Sequence, residues 1–200
     1  MSRILDKILV VDVESTCWEG GYPQRGQMSE IIEVGLCSLS IQSLRREDKC
    51  SIMVKPMKSH ISEFCTKLTS ITPDMVEHSK PLANACAILE KEYDSRQRMW
   101  ASWGDYDRGQ FERNCNEYKL RYPFGPTHLN VRTLFSATMG LNRKLELDQA
   151  FRHLGWELDG PLHRGVDDAW NTAKLLAWLL KRGRHSSSDT ETKQLGENRS

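Results

Sequence analysis

The chain opens on a short apolar run, Ile8-Leu9-Val10-Val11, that continues into Asp12-Val13-Glu14. Such a run, rich in branched side chains and bounded by polar residues, predicts a first strand over residues 8–14. Residues 15–28 hold three glycines and Pro23 and predict a loop. Apolar positions return over 30–37, predicting a second strand, and over 51–54, predicting a third before Pro56. The closeness of the three predicts a meander. Thr72-Pro73-Asp74-Met75 has the form of a short capped helix. Over residues 81–93 the apolar positions Leu82, Ala85, Cys86 and Leu89 change to helical spacing, with Pro81 suited to a first turn. A strand over 97–103 then feeds a helix starting near residue 107, with Phe111, Cys115 and Tyr118 on one face. Residues 128–131 predict a last strand, and 145–154 a helix stopped by Gly155. The clearest helix is 166–181, striped by Val166, Trp170, Ala173, Ala177 and Leu180 and followed by Gly183 as a stop.

After Arg184 the composition turns polar. Leu195 is the single large apolar residue in 185–200. Such a segment buries too little to offset its ordering entropy, so a disordered tail is expected there. The chain thus divides into one α/β domain over 1–184 and a tail over 185–200, with no internal repeat. A formal net charge of +1 excludes a strong global field toward nucleic acid or membrane, so any basic surface must be local. Six cysteines, Cys17, Cys37, Cys50, Cys65, Cys86 and Cys115, form no CxxC pair and no zinc-ligand spacing. Residues 1–7 carry no secretory leader pattern, and no apolar stretch reaches membrane length. Free thiols in a reducing intracellular compartment, taken as the cytoplasm, are expected, with no membrane partner.

The candidate chemistry begins with Asp12 and Glu14. Side chains two apart on a strand share a face, so these carboxylates lie side by side and repel. A hard divalent cation relieves that repulsion with oxygen ligands; two surface acids at a strand end are the plainer alternative. Further acids stand at helix starts: Asp105 and Asp107 in Trp103-Gly104-Asp105-Tyr106-Asp107, and Asp167 and Asp168 in His163-Arg164-Gly165-Val166-Asp167-Asp168. Each of these serves equally as a helix cap or a first-turn acid favoured by the helix dipole. An α/β sheet, however, gathers strand ends and helix starts into one crevice. Asp12, Glu14, Asp105 or Asp107, and Asp168 then make a set able to hold two metals about 4 Å apart, the arrangement that steadies both oxygens of a phosphoryl displacement. His163, five residues before Asp168, is placed to take a proton from an attacking water.

This ordered set resembles the DEDDh family of 3′→5′ exonucleases, built on a ribonuclease-H-like fold. Asp12-Val13-Glu14 matches the first motif and His163-Arg164-Gly165-Val166-Asp167-Asp168 the last. Asp12-Val13-Glu14-Ser15-Thr16-Cys17, Phe64-Cys65-Thr66-Lys67-Leu68-Thr69-Ser70-Ile71-Thr72 and Trp103-Gly104-Asp105-Tyr106-Asp107 look most like the branch that trims histone mRNA, small interfering RNA and ribosomal RNA. The resemblance runs from about Ile8 to Leu180. It implies a mixed sheet flanked by helices in a single domain. It also implies Asp12, Glu14, Asp107 and Asp168 around two Mg²⁺ or Mn²⁺ ions, with His163 as general base. Tyr106-Asp107 with Phe111 fits the family's middle motif, leaving Asp105 as the near alternative. Phe64 and Leu68 would pack on the terminal base with Tyr106 close by, and Thr16 and Cys17 would line the mouth. The implied reaction releases nucleoside 5′-monophosphates from single-stranded RNA 3′ ends or short overhangs, with DNA or a weakly active RNA-binding module as alternatives. Asp12-Val13-Glu14-Ser15-Thr16 also comes near the motif of phosphatases that use the first Asp as a nucleophile, but Glu14 replaces the second Asp and the His163-to-Asp168 spacing has no job in that mechanism.

Overall fold

A computed structural model describes residues 4–197, with side chains up to Arg184. Five strands form one mixed sheet, β1 (Lys7–Ser15), β2 (Ile31–Ser40), β3 (Arg46–Met53), β4 (Met99–Ser102) and β5 (His128–Asn130), in the order β3-β2-β1-β4-β5. The predicted meander holds: β1 pairs antiparallel with β2, and β2 with β3. β4 and β5 then extend the sheet in parallel. Seven α-helices among the described residues follow the chain as α1 (Glu63–Thr69), α2 (Pro73–Glu77), α3 (Leu82–Tyr93), α4 (Tyr106–Glu117), α5 (Val131–Thr138), α6 (Leu147–His153) and α7 (Gly165–Glu197). This is the ribonuclease-H-like architecture the resemblance implied, and no described helix is long and apolar enough to cross a membrane.

Alternation along β1 decides which layer each residue enters. Ile8 and Val10 join Cys37, Leu39, Phe135, Phe151, Ala169 and Ala173 under α5, α6 and α7. Leu9, Val11 and Val13 join Val34, Leu36, Leu89, Phe111 and Cys115 under α3 and α4. A third cluster of Ile32, Ile61, Cys65, Ile71 and Val76 seats α1 and α2. The parity that buries Ile8 and Val10 therefore delivers Asp12 and Glu14 to the α7 face, where the apolar layer ends.

The approach of α7 to the sheet is set by glycine. A Cβ on Gly35 would lie 1.9 Å from the carbonyl carbon of Gly165, and one on Gly165 would lie 2.9 Å from the carbonyl oxygen of Asp12. Only bare backbone lets the start of α7 reach the strand that carries the acids.

Three expectations are corrected. Residues 128–131 were predicted as strand alone, but pairing stops at Asn130, whose Oδ1 accepts the Thr133 N–H (2.9 Å) and caps α5. The buried face of α7 is rotated from the predicted stripe: Ala169, Thr172, Ala173, Leu176 and Leu179 are buried, while Val166, Trp170, Ala177 and Leu180 are only partly covered. Packing against both the sheet and α5–α6 broadens that face. Finally, α7 does not stop at Gly183. A glycine costs a helix interior only about 1 kcal/mol, and the helical backbone continues to Glu197. Of the tail expected over 185–200, residues 198–200 and the remaining side chains lie outside the described residues.

Candidate active site

The end of β1, the β4–α4 junction and the start of α7 enclose a cleft of about 550 Å³. Asp12, Glu14, Asp107, His163 and Asp168 all line it, with Cys17, Leu68 and Tyr106. Each acid arrives by a local rule. Asp12 and Glu14 come by strand parity, Asp107 and Asp168 by the inward side of a first helical turn. Asp107 Oδ1 accepts the Val13 N–H (2.9 Å), which ties α4 to β1. Asp168 Oδ2 accepts the His163 N–H (2.8 Å), while its Oδ1 is buried without a partner.

Crowding shows in the acidities. Burial raises the Asp12 carboxyl well above its usual range, and repulsion from Asp107, Asp168 and Glu14 adds to it. Glu14 is pushed up to about 8 by burial and then by Asp168 and Glu33. Burial likewise takes Asp168 to about 7, against the bond from His163 N–H. Asp107 rises to about 6 for the same first reason, restrained by the bond from Val13. Acids whose charged forms are disfavoured by burial and by one another, and an orphaned buried oxygen, are the donor set of a hard divalent cation. Glu14, His163 and Asp168 offer ligand atoms all within 4.8 Å of one another.

Asp105 points elsewhere. It is exposed, and its Oδ2 accepts from Asn130 Nδ2 (2.7 Å) at the start of α5. His163 stands on the rim, exposed, at a left-handed φ of 60°. A non-glycine residue there costs on the order of 1–2 kcal/mol and persists only where its surroundings hold it. The surrounding loop is pinned by Asn171, whose Oδ1 accepts the Asp159 N–H (2.9 Å), and by Asp168.

Thr16 lies outside the cleft. It is fully buried, its hydroxyl donating to Met28 O (3.1 Å) and accepting the Glu30 N–H (2.9 Å). Those bonds close the loop after β1 rather than face a ligand. Phe64 is exposed on α1 but does not line the cleft; Leu68, one turn later on the same face, does. The Cys17 thiol is pushed up to about 12 by burial beside Cys65, which makes it inert as a nucleophile.

Sequence reasoning missed several residues. Ser15 Oγ and Tyr106 Oη lie 2.5 Å apart, fixing the ring at the cleft. Arg132, from α5, is the only Lys or Arg among the lining residues and pairs with Glu146 (2.5 Å). Glu33, fully buried, accepts the Gly165 N–H (3.0 Å) at the start of α7. An arginine right after a strand signal was legible in Arg132; Glu33 was hidden inside an apolar run.

A family model described as an exonuclease, RNase_T, matches residues 9–176. The 3'-5' exoribonuclease 1 of Rattus norvegicus is 30% identical over 191 residues, covering 89% of this chain and 54% of the relative. The chain thus spans about half the length of that curated relative. The nuclease domain of 3'hExo, a DEDDh family member solved bound to rAMP, superposes with a TM-score of 0.82 at 27% identity, over 92% of this chain and 96% of that one. A 3'-exonuclease solved in 3'-end specific recognition of the histone mRNA stem-loop gives a TM-score of 0.80 at 26% identity, over 91% of this chain and 66% of the other.

Proposed function

The chain belongs to the RNase_T exonuclease family, and on that premise we propose that it shortens single-stranded RNA, or short overhangs, from the 3′ end and releases nucleoside 5′-monophosphates. The observation that carries this reading is the convergence of Asp12, Glu14, Asp107, Asp168 and His163 on one cleft from three separate parts of the chain. The names of its relatives favour RNA over DNA.

Asp12, Glu14, Asp107 and Asp168 would hold two Mg²⁺ or Mn²⁺ ions, which supply charge neutralisation at the phosphate and a more acidic water. The residues do the rest. His163 takes the proton of the attacking water at an imidazole nitrogen, from a loop that sets the ring over the acids. Leu68 and Tyr106 pack against the terminal nucleoside, with Phe64 extending the apolar surface along α1, and stacking of this kind tolerates any base. Ser15 holds the Tyr106 ring in place. Among the charged residues lining the cleft, Arg132 is the one Lys or Arg, suited to a backbone phosphate. The setting we propose is cytoplasmic, in keeping with six free thiols.

A degradation time course on 5′-labelled single-stranded RNA and matched DNA, with Mg²⁺, Mn²⁺ or EDTA, tests this. The expected result is a ladder shortening from the 3′ end, only with metal and faster on RNA. Faster loss of DNA would reassign the substrate. Binding of RNA with no shortening, from folded protein, would make the chain a binding module. A phosphoryl group trapped on Asp12 would indicate the phosphatase chemistry instead.

A further inference from the structure

Glu33 is a further carboxylate beside the four acids proposed to hold the metals. It stands directly across the ladder from Glu14, yet it is fully buried and lines no part of the cleft. Both of its oxygens are engaged. Oε2 accepts the Gly165 N–H (3.0 Å) and Arg164 Nε (3.3 Å), and Oε1 accepts Ser51 Oγ (2.6 Å) and Arg164 Nη2 (3.4 Å). A further negative charge here works against the ionisation of Glu14, Asp12 and Asp168. Nothing in metal holding explains its presence, since its oxygens face α7 and β3.

What Glu33 does hold is the first peptide of α7 and the arginine before it. That junction is where placement matters most. Gly165 lies in backbone contact with Gly35 and with Asp12 O. Three residues further on is Asp168, and two residues back is His163 in its left-handed turn, bonded to Asp168. A carboxylate at a helix N-terminus is favoured by the dipole and by the free N–H groups. Here it also anchors that terminus to the strand carrying Gly35, next to the strand carrying Asp12 and Glu14.

We propose that Glu33 is a positioning residue for hydrolysis: it fixes the start of α7 and the turn before it, and thereby where Asp168 and His163 stand. The proposal rests on the nuclease reading given above.

Three variants test it. Glu33→Ala removes the anchor, and Glu33→Asp keeps the charge one methylene short of Gly165. Glu33→Gln keeps the shape: its amide oxygen can accept from Gly165 and Arg164 while its amide nitrogen donates to Ser51 Oγ. Steady-state cleavage of a short single-stranded RNA, per folded molecule, is the first readout. Glu33→Ala and Glu33→Asp should each lose about 10- to 100-fold in kcat with KM within about twofold, as small misplacements of reacting groups do. Glu33→Gln should stay within about threefold of the parent. The second readout is the amide resonances of Gly165 and His163, which should shift in Glu33→Asp and stay near the parent in Glu33→Gln. Undiminished kcat in both Glu33→Ala and Glu33→Asp overturns the proposal. A Glu33→Gln loss as deep as that of Glu33→Asp also overturns it, because charge rather than placement would then be the requirement. If Glu33→Ala does not fold, Glu33→Asp carries the comparison. If the parent cuts no RNA, the nuclease reading fails by itself, and unmoved amides in Glu33→Asp would still refute the placement.

Discussion

Metal-free protein should lose stability as pH rises from 6.5 to 8.0. The perturbation is ionisation of Glu14 and Asp168, pushed up to about 8 and about 7 chiefly by burial. In an unfolded chain both ionise near pH 4. Across the window the folded state therefore binds more protons than the unfolded one, so the unfolding free energy falls with pH. The stability these raised carboxyls contribute is complete below their unfolded values and lost as pH passes their folded ones. Integrating the two titrations gives a loss of roughly 2 kcal/mol, the larger share from Glu14. Asp12 acts in the same direction. His128 opposes them in part, because burial lowers its pKa and so favours its neutral folded form as the unfolded imidazole deprotonates. The net loss of roughly 2 kcal/mol lowers Tm by about 4–8 °C in a domain of this size. Scanning calorimetry in EDTA at several pH values measures it. Saturating Mn²⁺ should reverse the trend, since binding requires deprotonated carboxylates and stabilises the folded state. A Tm in EDTA that is flat or rising from pH 6.5 to 8.0 would refute the picture of acids crowded in one buried cleft.

Further substitutions probe the geometry. Asp107→Asn should cut kcat by at least about 100-fold, whereas Asp105→Asn should stay within a few-fold, its carboxylate being committed to Asn130; equal losses in a cleavage assay would contradict that division. Gly35→Ala places a methyl 1.9 Å from the backbone of Gly165. It should cost about 3 kcal/mol by overpacking, seen as a Tm lower by roughly 6–12 °C, and an unchanged Tm would deny the contact. Arg132→Gln should raise KM with kcat nearly kept and reduce the slope of log affinity against log salt by about 0.7, the share of one single-strand phosphate contact; an unaltered slope removes the phosphate role.

β1 and β2 were legible because they announce themselves by apolar runs, and strand parity alone placed Asp12 and Glu14 together; β3 opens on the charged run Arg46-Glu47-Asp48-Lys49, so only its end at residues 51–53 was read. Period could not choose between Asp105 and Asp107. That choice depends on how α4 is rotated about its axis, which Phe111 and Cys115 decide by packing on β1 and β2. The helix α5 was hidden because His128-Leu129-Asn130-Val131 reads as strand until Asn130 is seen capping. Thr16 carried a motif resemblance, but its hydroxyl is consumed by the backbone of its own loop. Glu33 was illegible in principle: its partner Gly165 is 132 residues away, and no local pattern reports a bond of that span.

Such spans bear on the order in which the molecule forms. The β1–β2–β3 meander joins neighbours along the chain and closes small loops. The tie from Val13 to Asp107 crosses 94 residues, and that from Glu33 to Gly165 crosses 132. Contacts that close long loops carry the larger entropic cost and are slow to form. The chemistry thus depends on a segment synthesised well after the strands, so a chain emerging from the ribosome has its sheet seeded long before it has a base or a fourth carboxylate. In refolding, the recovery of cleavage reports the docking of α7, while the spectroscopic return of the strands reports only the foundation.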